Sequence, residues 1–402
     1  MKILFLSNKL PHAGIIGGQR IIYQRIRYLA KAGHQVGLAS FISPEVTDSQ
    51  IETVKPKLSA LHVFPRPNRN LAIRMFHDYL SPQRPALFWK QYSKEMMKGV
   101  GDIVEKENYD IVVAEFSEMG QYLYKNPFLS AVRRVISCHR CLTTSFEQYS
   151  RLSGVAWWPH LKSAPQARNL QRYEFNMYRS ADRVLVLTPQ DRFALQNYAQ
   201  DLAVSVVPAG VDIAHLQEHP PIPKEPIVLH TGYMGDPAND DGVEWFYQNI
   251  WPRLRARHPE IKFYVAGADP SRRIKKIGRT DPGVIVTGKV KDLRPYRNRA
   301  RVFVSPARLG SGVRTKTLEA MASGLPVVST SLGMDGIQAQ TGVNCLVADT
   351  PALFAQSVEW LLEDRSLGAR IARNARTLIQ QKHSLESGVQ RFEQILKSIV
   401  EG

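Results

Sequence analysis

Short apolar runs bounded by turn residues alternate along this chain with amphipathic stretches of helical period. The first run is KILFLS, followed by a glycine-bearing loop, LPHAGIIGG. The stretch QRIIYQRIRYLAKAG then reads as a helix, with Gly33 where a helix end favours a left-handed residue. HQVGLASF, DIVVAEF, RRVISCH, DRVLVLT and SVVPAGV read as later strands, with a long helix through Arg168–Arg179. A second series opens with PIVLHTGYM. It continues with the helix DGVEWFYQNIWPRLRARHP, the strands IKFYVAGA, VIVTGKV and ARVFVSPA, and a loop LGSG leading into the helix KTLEAMASG. LPVVSTS is the last strand, and about three helices are expected from Pro351 onward.

Strand and helix signals that alternate in this way predict stacked βαβ units and parallel sheets. Residues 212–226, DIAHLQEHPPIPKEP, are proline-rich and polar and read as a linker. The expected architecture is α/β, with two doubly wound Rossmann-like domains at 1–211 and 227–380 facing a deep cleft. A terminal helix at 381–402 is expected to pack back toward the N-terminal domain. Ligands of such sheets bind beyond the carboxyl ends of the strands.

Composition narrows the class. The chain has 402 residues, 44% of them hydrophobic, which suits two full cores. Cys138, Cys141 and Cys345 are too few for a disulfide framework and suit a reducing compartment. Cys138-His139-Arg140-Cys141 has a zinc-like spacing but lacks a second Cys/His pair. MKILFLSN breaks at Ser7 and reads as a strand rather than a signal peptide. No apolar run approaches the ~20 residues of a membrane span. The expectation is a cytoplasmic protein, soluble or peripheral on the inner face of the membrane. The net charge is +17, of which residues 1–210 carry +11. Such an excess implies an anionic partner, whether nucleic acid, lipid or phosphorylated ligand, or simply a basic soluble surface.

The densest local signal runs from Gly310 to Val328: Gly310-Ser311-Gly312-Val313-Arg314-Thr315-Lys316-Thr317-Leu318-Glu319, and on to Pro326-Val327-Val328. Glycines between a buried strand and a helix let backbone approach a ligand, and free N–H groups at the helix start favour phosphate. Arg314 can hold phosphate in a two-bond fork, whereas Lys316 acts as a point charge. A carboxylate one turn in, Glu319, could accept from a ribose diol. Taken alone, Lys316 and Glu319 could equally be an i, i+3 helix pair beside an ordinary turn.

This segment resembles the donor-binding signature of glycosyltransferase family 4, a family with the GT-B fold. GYM…NDDGVEWFYQNIWP, a strand ending in AGA, and GVIVTGKVKDLRPYRNRARVFVSPARLGSGVRTKTLEAMASGLPVVSTSLGMDGI stand in family order. ADRVLVLTPQDRFAL…VSVVPAGVD and the paired glycines before L-A-x-A-G-H-x-V are similar too. The resemblance implies a hexosyltransferase-type enzyme that moves a sugar from a nucleotide-sugar donor to a glycan or lipid-linked acceptor. It further implies polysaccharide or glycoconjugate biosynthesis, retention of configuration, and no cofactor or obligatory metal. Gly17 and Gly18 would form a loop reaching the donor phosphates or the acceptor. His139 would lie near the transferred sugar and join Arg314 and Lys316 as the catalytic set. Gly310, Ser311, Gly312 and Val313 would carry the two cations around the diphosphate. Glu319 would hold the ribose, Val286, Gly288 and Val290 would flank the base, and Gly232 would lie near the phosphates.

Two departures stand out. Ser311 occupies the place of the first of two glutamates found in many members. Asp236, Asn239, Asp240 and Asp241 occupy the region where an Arg and a Lys are common, so Arg314 and Lys316 would assume that charge role. Glu115 and Glu118 stand at a strand edge as weaker candidates for a covalent nucleophile. In residues 72–98, Phe76, Tyr79, Phe88, Trp89 and Tyr92 interleave with Arg74, Arg84, Lys90 and Lys94, and Trp157 and Trp158 lie near Lys162. These residues suit either an anionic membrane surface or ordinary helix packing. Competing readings are a sugar-nucleotide epimerase of the same fold, a nicotinamide enzyme, and a basic nucleic-acid-binding protein. Gly14-Ile15-Ile16-Gly17-Gly18 fits the nicotinamide fingerprint poorly, and no nucleic-acid module appears, so nucleic acid is not expected as a partner.

Overall fold

The computed structural model describes residues 1–402 except 14, 16–17, 45, 68–83, 152–163, 214–224 and 311–312, and the side chains of 148–151 and 164–165. It divides into two compact units, Met1–Pro208 with Gly388–Gly402, and Ala209–Ser387. Most of the stretch read as a linker, 214–224, lies outside the described residues.

The first unit is built on seven parallel strands: β1 (Lys2–Ser7), β2 (Gln35–Ile42), β3 (Ala60–Pro65), β4 (Ile111–Glu115), β5 (Arg133–Cys138), β6 (Arg183–Val186) and β7 (Val204–Val206). Their order is β3-β2-β1-β4-β5-β6-β7, so the winding reverses between β1 and β4. Strands covered on both faces need continuous apolar runs, as in Ile3-Leu4-Phe5-Leu6, all fully buried. The register sets Leu6 opposite Ala114 and Glu115 opposite Ser137, so the carboxyl ends of β1, β4 and β5 end side by side. β3 is an edge strand that the pattern did not announce. It needs apolar residues on fewer positions, and Val63 stays exposed.

The helix Gly18–Lys31 turns Ile21, Ile22, Ile26 and Leu29 inward. The C-terminal helix Leu385–Glu401 places Phe392, Ile395, Leu396 and Ile399 at helical spacing into the same cluster, with Ile3, Phe5 and Leu29. Burying Phe392 completely stabilises this unit by about 2–3 kcal/mol relative to leaving it exposed.

The second unit carries six parallel strands: β8 (Ile227–Thr231), β9 (Lys262–Ala266), β10 (Val284–Gly288), β11 (Val302–Ser305), β12 (Val327–Ser329) and β13 (Leu346–Val347), in the order β10-β9-β8-β11-β12-β13. Phe246, Trp251, Phe263 and Phe354 fill its core. The helix read over 241–259 is two helices, Pro237–Asn249 and Trp251–Arg257. Pro252 lacks an N–H and fits only the first turn of a helix, which sets the break at Ile250. Three helices close the chain: Pro351–Glu363, Arg365–Lys382 and Leu385–Glu401. Among the described residues no helix is long and apolar enough to cross a membrane.

Candidate functional site

In the first unit, chemistry gathers at the ends of β4 and β5. Glu115 closes β4 and is wholly buried. Arg25, from the helix Gly18–Lys31, donates through Nη1 to its two oxygens at 2.8 and 3.1 Å, and to Ser137 Oγ at 2.8 Å. His139 Nε2 lies 2.6 Å from Glu115 Oε2. A carboxylate only accepts, so Nε2 carries the proton of that bond. Burial pushes the Glu115 carboxyl up, but the Arg25 charge and the His139 hydrogen bond outweigh it and hold it at about 2. The Phe392 ring lies 4.3 Å from the Arg25 guanidinium carbon and covers it.

With Nε2 engaged, Nδ1 is the nitrogen left for a ligand. It is buried and has no partner among the described residues. A Cβ added at Gly18 would lie 3.3 Å from it and 2.7 Å from Phe116 Cζ. Phe116 stacks on His139 with ring centroids 4.3 Å apart. Its backbone sits at φ 74, ψ 146, a region that only glycine enters without strain. Phe116 and Gly18 thus both close on Nδ1, and the missing side chain at Gly18 lets the helix start come that near. Gly17 lies outside the described residues. Arg25 and Phe116 were not singled out in the sequence. An arginine amid Ile21, Ile22, Ile26 and Leu29, on the buried face of a helix, was the available signal.

The weaker candidates resolve differently. Glu115 is clamped on both oxygens and cannot turn to a sugar carbon as a nucleophile. Glu118 has its carboxyl raised by burial, against the pull of Arg140. The two cysteines of the zinc-like spacing face separate partners. Cys138 Sγ lies 3.2 Å from Tyr178 Oη, and Cys141 Sγ lies 3.4 Å from Glu174. Glu174 also receives the N–H groups of Leu142 and Thr143 and so anchors the helix Leu142–Arg151. Among the described residues no group of His, Cys, Asp and Glu could hold a metal ion.

In the second unit, Lys316 lies in the first turn of the helix Thr315–Ala322, just past β11. Its Nζ donates to Asn239 Oδ1 at 2.5 Å and to His230 Nε2 at 3.3 Å. Among the described residues it has no carboxylate within ion-pair distance. Burial and the neighbouring Arg314 charge lower the ammonium to about 7, against an opposing pull from Asp236. Arg314 Nη2 donates to the Leu309 carbonyl at 2.6 Å, and Gly310, at φ 87, brings the loop that close. Thr317 Oγ1 pins the helix to β11 through Ser305 Oγ at 3.0 Å. Val313 is partly buried, and Ser311 and Gly312 lie outside the described residues. Glu319 pairs through Oε2 with Arg297, a buried residue of the helix Arg294–Arg299. Glu319 thus engages Arg297, while Lys316 Nζ reaches Asn239 and His230 on other elements.

Gly232 belongs to the Lys316 cluster. A side chain there would press within 3.0 Å of the Asn239 amide. The acidic run that replaces the expected cations has structural duties. Asp236 caps the helix Pro237–Asn249, and Asp241 pairs with Arg308 at 2.6 Å. Val286 is partly buried and packs toward Gly278 and the core. Gly288, at φ 66, has open space where a side chain would be, and Val290 follows it, partly buried. In the aromatic-basic stretch the described aromatics follow the helix-packing reading. Phe88 and Trp89 are core residues, and the Arg84 guanidinium lies over the Tyr92 ring at 3.6 Å. Lys90 and Lys94 are exposed, while Arg74, Phe76, Tyr79, Trp157, Trp158 and Lys162 lie outside the described residues.

Residues 15–215 match the model of Glycosyltransferase Family 4, and residues 225–364 match that of Glycosyl transferases group 1. An uncharacterized 44.6 kDa protein in the cps region of Klebsiella pneumoniae is 22% identical over 393 residues, covering 95% of this chain and 96% of that protein. Among solved structures, sucrose-phosphate synthase from Thermosynechococcus elongatus superposes with a TM-score of 0.76 at 18% identity, over 99% of both chains. HepE from Anabaena, in complex with UDP, superposes with a TM-score of 0.69 at 18% identity, over 99% of this chain and 100% of its own.

Proposed function

Because the chain belongs to glycosyltransferase family 4, and is a glycosyltransferase of the GT-B type, we propose that it moves a sugar from a nucleoside-diphosphate sugar onto a glycan or lipid-linked acceptor, with retention of configuration. The observation that carries this reading is the Lys316 ammonium at a helix start. It is held by two neutral acceptors and sits beside Arg314. Cationic charge that is fixed in place, and not neutralised by a contacting carboxylate, is what a departing diphosphate requires. HepE holding UDP supports the donor class.

As the bond from the sugar carbon to the diphosphate oxygen breaks, its electrons pass to that oxygen, and Arg314 with Lys316 stabilise the growing charge. The acceptor hydroxyl attacks the sugar carbon from the face of departure and passes its proton to the leaving phosphate oxygen. The clamped Glu115 supports attack without a covalent intermediate at that residue. His139 Nδ1 would take a hydrogen bond from, or give one to, the sugar or the acceptor. Glu319, braced by Arg297, would hold the ribose. Acceptors carried on lipid are the reason to keep an anionic membrane surface as a partner, met by exposed cations such as Lys90 and Lys94.

A thermal-shift screen across UDP-, GDP-, ADP- and dTDP-sugars tests the reading. A donor present at a hundredfold over its Kd should stabilise the protein by about 2.7 kcal/mol. No shift with any of them would overturn the proposal, and a trapped glycosyl-enzyme seen by mass spectrometry would overturn the one-step transfer.

A further inference from the structure

A histidine on an all-parallel central strand is an odd core residue. His230 occupies β8 where its neighbours Val228, Leu229 and Thr231 are buried, and it is itself buried. Its Nδ1 lies 2.9 Å from the carbonyl of Val304 on the adjacent strand β11. A carbonyl only accepts, so Nδ1 carries the proton and Nε2 presents a lone pair. That lone pair faces Lys316 Nζ, which can only donate. On the other side of the ammonium, Asn239 Oδ1 accepts a second proton, and the Asn239 amide is oriented by its own bond to the Tyr233 carbonyl at 2.8 Å. Two of the three ammonium protons are therefore fixed by neutral acceptors, and the direction of the third follows.

We propose that His230 is a positioning residue for the diphosphate of the donor: it aims the Lys316 ammonium at the ligand and helps keep it charged there. This rests on reading Lys316 as a diphosphate ligand. A carboxylate in the place of His230 would cancel the charge, and an aliphatic side chain would leave a partly buried ammonium with one acceptor fewer. A neutral imidazole tethered to the sheet does neither.

The groups facing Lys316 are Arg314 from its own loop, Asp236 from the start of the helix Pro237–Asn249, and His230. Burial and the ammonium push His230 well below its usual value, so it stays neutral while Lys316 titrates. With Lys316 at about 7, part of the population is uncharged at physiological pH, and an arriving diphosphate must draw a proton in.

The experiment is isothermal titration of the full-length protein with UDP and, in parallel, GDP, from about pH 5 to 9.5, a range that brackets both the lysine value of about 7 and a value one unit lower, in buffers of differing ionisation enthalpy. The wild type should take up protons on binding and lose affinity about tenfold per pH unit above the lysine value. Lys316→Met should abolish that dependence. His230→Phe should move the onset of the loss down by about one pH unit, the worth of one neutral hydrogen bond. His230→Gln, which returns an acceptor, should restore part of the shift and covers the case in which the Phe variant folds poorly. Wild-type onset in both His230 variants overturns the proposal, as does an undiminished pH dependence in Lys316→Met. Absence of binding to either nucleotide by the wild type would instead bring down the proposed function.

Discussion

Replacing Glu115 by Gln is a demanding test of the buried array in the first unit. The carboxyl is held at about 2 against an ordinary 4.5. That depression contributes about 3 kcal/mol at neutral pH. The folded value lies below the unfolded one, so the contribution is whole above pH 4.5 and is lost as pH falls toward 2. Glu115→Gln forfeits it and also strands Arg25, which is 2% exposed and pressed against Phe392. Breaking a buried pair from one side costs about 3–5 kcal/mol. For a unit of this size that is a fall in Tm of about 10 °C. Scanning calorimetry of wild type and variant at pH 7 reads it directly. The variant should also lose less stability than the wild type between pH 4.5 and 2, because the Glu115 share of the acid-induced loss is gone while other depressed carboxyls such as Glu393 keep theirs. Adding Arg25→Met to Glu115→Gln should recover part of the stability, because the stranded charge goes with it. A drop of less than about 3 °C, or no recovery in the double variant, would refute the claim that the carboxylate is the counter-charge of Arg25.

Other outcomes follow from single contacts. Gly18→Ala should force the Phe116 ring off His139, since the new methyl would lie 2.7 Å from Phe116 Cζ. Steady-state assays should show kcat falling at least tenfold with a stability loss of only about 1–3 kcal/mol. Glu319→Ala should erase discrimination between a ribonucleoside diphosphate and its 2′,3′-dideoxy analogue, read as a ratio of Kd values near one. Phe392→Ala should cost about 3–5 kcal/mol in chemical denaturation, because the ring is buried between Phe5 and Arg25.

Much of this protein was legible in its linear pattern. Apolar runs such as KILFLS and PIVLHT announce parallel strands because both faces of such a strand are covered, and the amphipathic stretches between them announce their helices. Pro252 was visible too, though its effect of splitting one helix into two depended on where the backbone needed the turn. Two strands left no run to read: β3, an edge strand with one buried position, and β13, which is only two residues long. The Gly310–Glu319 motif suited a phosphate site by residue type, and taken alone it suited an ordinary turn beside a helix pair equally well.

The partner of each charge was not in the pattern. Glu319 reaches Arg297 rather than Lys316, and Lys316 reaches His230 and Asn239, 86 and 77 residues away. Arg25, Glu115 and His139 meet only because β4 and β5 end together beneath the helix Gly18–Lys31. Phe88 and Trp89 suited a surface patch and ordinary helix packing alike until the tertiary structure placed them in the core. Local sequence sets which face of an element is apolar, since periods of two and 3.6 are properties of the backbone. Which charges then share one small volume depends on strand order and register, and the low dielectric there makes those long-range pairs decide the state of the site.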